Sequence, residues 1–150
     1  GHTKRIERVM YSPDSRAIAS AGLDRTMWVR GVDGTPWRIL QIPGDIRRFS
    51  FSPSDAQTIV TSGTGSTAEL RQWQTSLLQT LFLDDDIWDL AISPDGERII
   101  SGDSPTVHVW DRDRNTVATL DADQDTLFGF DYSPNGQMIA AVGANGTVQL

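Results

Sequence analysis

The sequence predicts an all-β protein, an array of four-stranded antiparallel sheets, and three observations predict it. Four times a Ser-Pro corner closes a short apolar strand: Tyr11-Ser12-Pro13-Asp14, Phe51-Ser52-Pro53-Ser54, Ile92-Ser93-Pro94-Asp95 and Tyr132-Ser133-Pro134-Asn135. The four serines recur at intervals of 40, 41 and 40 residues, a period that marks stacked supersecondary units. The segments between corners are short, rich in β-branched and apolar residues, and none carries a helical period.

Each unit then justifies its strands in order. An apolar strand opens it: Val9 to Ser12, Phe49 to Ser52, Leu90 to Ser93 and Phe130 to Ser133. At the corner, proline presets φ and an Asp or Asn side chain bonds its own backbone. A second strand of small and β-branched residues follows: Ala17 to Ser20, Thr58 to Ser62, Arg98 to Ser101 and Met138 to Ala141. A Gly, Asp or Asn turn leads to a third strand, clearest in Thr106-Val107-His108-Val109-Trp110-Asp111. A fourth strand alternates apolar positions in Arg38 to Ile42, Leu77 to Leu83 and Val117 to Leu120. Paired apolar residues at the unit starts stand three apart: Ile6 and Val9, Ile46 and Phe49, Ile87 and Leu90, Leu127 and Phe130. A regular strand spaces them by two, so a bulge is predicted at each start.

These units resemble WD repeats, the four-stranded blades of β-propellers. Unit three carries the pattern from Ser93-Pro94-Asp95-Gly96 through Ile99-Ile100-Ser101-Gly102 to Val109-Trp110-Asp111. Unit one adds the leading Gly1-His2 pair, and unit four runs to Gly146-Thr147-Val148-Gln149-Leu150. The resemblance spans the chain and implies a partial propeller of about three and a half blades, at 1–44, 45–85, 86–124 and 125–150. Both faces of each sheet are then expected to be buried, and any terminal blade left open would present an apolar face. In many members a His, a Ser or Thr, an Asp and the Trp bond within one blade. Unit one offers His2, Ser20 and Asp24, with Arg30 where Trp is expected and Trp28 two residues earlier. Unit two has Trp73 and no His; unit three has Trp110 and Asp103 and no His. On that basis no unit completes the network, and packing is expected to dominate. Asp24, Trp73, Asp103 and Trp110 are the structural residues the resemblance implies, with Trp110 mostly buried in its blade.

Composition narrows function. The chain of 150 residues has no cysteine and a net charge of −7. No disulfide or Cys-based metal site is possible, and a cytoplasmic setting is compatible. The acidic balance argues against general nucleic-acid binding. Charge is uneven along the chain: +3, −2, −6 and −2 over the four units, an asymmetry that tunes association. No apolar run reaches the length of a membrane-spanning helix.

Candidate chemistry is sparse. His108 stands mid-strand, and no nucleophile elbow, zinc-protease motif or phosphate loop occurs. Gly63-Thr64-Gly65-Ser66 lies between strands, where a phosphate loop would need a following helix. Asp121-Ala122-Asp123-Gln124-Asp125 begins like a calcium loop, but Thr126 and Tyr132 stand where Gly and Glu are required. That cluster and Asp84-Asp85-Asp86 read as solvated loops. The expectation is therefore a non-enzyme with no cofactor and no metal.

The resemblance places the strand starts around the mouth of a central channel, where protein partners dock. The pairs between the apolar anchors differ from unit to unit: Glu7-Arg8, Arg47-Arg48, Trp88-Asp89 and Phe128-Gly129. Arg47, Trp88 and Phe128 are residue types that anchor interfaces, and they are the predicted partner-binding set. The implied function is a non-catalytic protein-interaction scaffold, completed by further propeller blades or by self-association. The alternative is a regulatory or sensor propeller within a multidomain signalling protein of ATPase type.

Overall fold

The computed structural model describes residues 1–64, 67–74, 77–82, 87, 89–103, 106–113, 115–121, 127–144 and 146–150. Among them there is no helix. The first sheet comprises β1 Ile6–Tyr11, β2 Ala17–Gly22, β3 Thr26–Gly31 and β4 Pro36–Gln41. The second comprises β5 Ile46–Phe51, β6 Thr58–Gly63, β7 Thr67–Gln72 and β8 Leu77–Phe82. The third holds β9 Asp89–Ile92, β10 Arg98–Asp103, β11 Thr106–Asp111 and β12 Thr116–Asp121. The fourth holds β13 Leu127–Tyr132, β14 Ile139–Gly143 and the short β15 Val148–Gln149. Every sheet is a meander in which sequential strands pair antiparallel. This is the all-β propeller-blade architecture the sequence predicts.

The Ser-Pro corner is a hydrogen-bonded device. Ser12 Oγ donates to Asp14 Oδ1 at 2.5 Å and accepts from the Ala17 amide at 2.9 Å. Ser93 repeats this with Asp95 and the Arg98 amide, and Ser133 with Asn135 and the Met138 amide. One hydroxyl thus ties the end of one strand to the start of the next. The second unit deviates, and this explains its 41-residue interval. Ser54 replaces the carboxylate as the partner of Ser52, at 2.9 Å. One residue is inserted, and Asp55 instead takes the Thr58 amide at 2.8 Å.

Sheets stack face to face through apolar layers. Phe49 and Phe51 of β5 lie against Ala17, Ala19, Met27 and Val29 of the first sheet. Leu90 and Ile92 of β9 join Val60, Ala68 and Leu70 of the second. Leu127 and Phe130 of β13 join Ile100, Val107 and Val109 of the third. Aromatic and branched residues of each innermost strand therefore fill the face of the sheet before it. Gly102 permits the last of these contacts, since a Cβ there would lie 2.5 Å from the Phe130 ring.

The expectation of two buried faces per sheet fails at both ends of the stack. Val9 occupies the register position of Phe49, yet it is 63% exposed where Phe49 is fully buried. Val148 matches Met27, pairing with Val142 as Met27 pairs with Ala21, and it is 66% exposed. No described sheet stands against either face, so the four sheets form an open stack.

Candidate functional site

The predicted bulges exist at three starts. Register shifts at Ile6/Arg8, Ile46/Arg48 and Leu127/Gly129, leaving Glu7, Arg47 and Phe128 unpaired. An unpaired residue in a bulge turns its side chain out of the ladder. Arg47 is accordingly exposed between buried Ile46 and Phe49, and Phe128 is 57% exposed between buried Leu127 and Phe130. At the start of the third unit Trp88 lies outside the described residues, as do Asp84-Asp85-Asp86 and the stretch 122–126. The structure thus sets Arg47 and Phe128 in equivalent places on the second and fourth sheets. A cleft between the first two sheets takes in Arg47 but not Phe128.

The next register position carries a second arrangement that sequence reasoning missed. It holds Arg8, Arg48, Asp89 and Gly129 in the four units. Asp89 Oδ2 accepts from the Phe130 amide at 3.2 Å, and Arg48 Nε lies 3.7 Å from Asp89 Oδ1. Asp89 therefore links the second, third and fourth sheets. Burial raises the Asp89 carboxyl above its ordinary value, against the pull of the Phe130 and Leu90 amides and of Arg8 and Arg48. Gly129 leaves room for it, because a Cβ there would meet Asp89 Oδ2 at 3.2 Å. The available signal was the complementary reading of one slot, Arg, Arg, Asp and Gly, across consecutive units.

The expectation that no unit completes the bond network is corrected by the first sheet. His2 Nδ1 lies 3.0 Å from Asp24 Oδ2, and His2 Nε2 lies 2.9 Å from Ser20 Oγ. Thr26 Oγ1 donates to Asp24 at 2.8 Å and accepts from Trp28 Nε1 at 3.0 Å. The indole is two residues nearer the turn than the pattern places it, and Thr26 relays its bond to the carboxylate. Burial opposes the charge on Asp24, but Thr26, the Thr3 amide and His2 outweigh it and hold this carboxyl well below the usual range. Arg30, in the expected Trp position, lies 4.7 Å from the Trp28 ring centroid, a cation–π contact.

The second sheet answers differently. Residues pairing with Ile18, Ile59 and Ile99 are Arg30, Arg71 and Trp110, so Arg71 and not Trp73 holds the Trp register. Arg71 forms a paired contact with Glu69 Oε2 at 2.9 and 2.7 Å. Thr61 Oγ1, the counterpart of Ser20, is buried with no bonding partner among the described residues. Trp73 lies past the strand end, where it donates to Ala56 O at 3.2 Å and stacks on Trp37 at 5.4 Å. In the third sheet Trp110 is half-buried, less than expected, and its Nε1 donates to Ser101 Oγ at 2.9 Å. Asp103 is placed by its backbone at the end of β10, and its side chain lies outside what the structure describes.

The family model for the WD domain, G-beta repeat, matches residues 1–29, 75–111 and 114–150. The chain belongs to the WD-repeat family. Domains of this family are in general scaffolds that bind protein partners. The second and third matches each begin ahead of an outermost strand, β8 or β12, and run on through the next sheet. The repeat in the sequence is thus one strand out of phase with the sheet in space.

Proposed function

We propose that this chain is a non-catalytic docking scaffold whose contact surface is the rim formed by the bulged strand starts. The observation that carries this is the exposure of Arg47 and Phe128 between anchors that are buried on both sides. An exposed phenylalanine on a rigid strand offers contact area at little ordering cost. Trp88, at the matching sequence position, belongs to the same surface in this reading. The two open sheet faces are seats for further sheets of the same kind, since their residues match in register those buried inside the stack. A cytoplasmic setting suits a scaffold chain without cysteine.

The test places a photo-cross-linking amino acid at position 47 or 128, in cells that make the protein. Covalent protein adducts from both positions, and none from Val117 on the outer strand β12, support the rim. Adducts from Val117 alone overturn it.

A further inference from the structure

We infer that the cleft between the first and second sheets takes an acidic side chain of an extended peptide, with the Arg47 guanidinium as its anchor. This rests on the rim reading above and names the kind of partner. The cleft offers about 400 Å³, room for a glutamate side chain with its flanking backbone.

The charge of the cleft selects this partner. Five ionisable residues line the cleft: Arg5, Glu7, Asp45, Arg47 and Arg48. Arg5 pairs with Glu7. Asp45 faces Arg25 at 3.3 Å. Arg48 faces Asp89 at 3.7 Å. Arg47 is left with no counter-ion among the described residues, so the cleft carries one uncompensated positive charge. A carboxylate offers the planar, two-oxygen partner that a guanidinium fork binds best.

Arg47 is also held in place. Arg48 Nη1 donates to the Arg47 carbonyl at 3.0 Å while its Nε faces Asp89. The bulge that presents Arg47 is therefore clamped from inside, which lowers the ordering cost of binding. Thr64 closes the far wall, its amide donating to Asp45 O at 3.0 Å. The cleft straddles the first unit, at +3, and the second, at −2, within a chain of −7, so the positive charge is local to it. A nucleic acid meets that larger negative field along its length, whereas a single acidic side chain reaches only the local charge.

The experiment measures fluorescence anisotropy of a labelled octapeptide carrying one central glutamate among glycines and serines, with the whole chain and with Arg47→Ala, Arg47→Lys and Arg16→Ala. Arg16 is exposed on the corner turn at the other end of the first sheet, and its loss changes net charge equally. Wild type is expected to bind, Arg47→Ala about tenfold more weakly, Arg47→Lys in between, and Arg16→Ala as wild type. Unchanged thermal midpoints confirm that the variants fold. Equal weakening by Arg16→Ala and Arg47→Ala overturns the inference, as does no binding to wild type. Arg47-dependent binding of oligothymidylate in preference to the single-glutamate peptide overturns it too. Failed peptide binding with protein adducts still forming from position 128 removes this inference and leaves the rim reading standing. Loss of both removes both.

Discussion

Ser15 and Ala56 adopt φ of 60° and 53° at the corner where the third and fourth units place Gly96 and Gly136 at 79° and 70°. Left-handed backbone costs a side chain energy that glycine avoids. Ser15→Gly and Ala56→Gly are expected to stabilise the chain by about 0.5–1 kcal/mol each, read by urea denaturation, after glycine's extra unfolded-state entropy is deducted. Glycine in the other two units made this corner conformation visible in the sequence. The Thr26 relay was not visible, because it depends on which neighbouring strand a hydroxyl faces. It too has a measurable consequence. The carboxyl of Asp24 is depressed in the folded chain relative to an unfolded value of about 3.9. Its contribution to stability is therefore complete above that value and is lost as pH falls through it toward the folded value. Asp24→Asn should lower the thermal midpoint at neutral pH and match wild type progressively as the solution is acidified toward pH ~2. A constant difference between the two at all pH values would contradict this.

At the scale of strands and sheets, the spacing of apolar anchors foretold the bulges, since a three-residue step cannot keep both anchors on one face of a regular strand. Inter-sheet contact was harder to foresee. Asp89 reaches an amide 41 residues away, and nothing in its local sequence marks it as other than a solvated acid. Trp73 illustrates the opposite error: it matches the family residue type but stands two positions beyond the family register. Gly102 is the sharpest test of sheet packing. A methyl group there meets the edge of the Phe130 ring rather than the free end of a flexible chain. Gly102→Ala should destabilise by about 1–3 kcal/mol in chemical denaturation. Truncating the ring in the double variant Gly102→Ala, Phe130→Leu should recover part of that loss, and strictly additive losses would exclude the clash.

For the whole molecule, the open faces dominate behaviour in solution. Val9 and Val148 present opposite halves of the interface that recurs inside the stack. A heterologous contact of this kind can close into a ring or extend into a chain. The unlike charges of the first and last units favour it, and the effect is screened by salt. Sedimentation velocity should show concentration-dependent association that Val9→Asp or Val148→Asp reduces; a monodisperse monomer at every concentration would contradict the expectation. The one-strand phase difference between repeat and sheet carries a separate lesson. The chain is laid like brickwork, each course covering the joint beneath it. A cut at a repeat boundary, such as residue 74 or 113, strips the outermost strand from one sheet and leaves it as a loose tail on the next. Shortened or spliced versions of this protein keep whole sheets only when severed at a bend between sheets, of which residues 42–45 are one, where the masonry has a true seam.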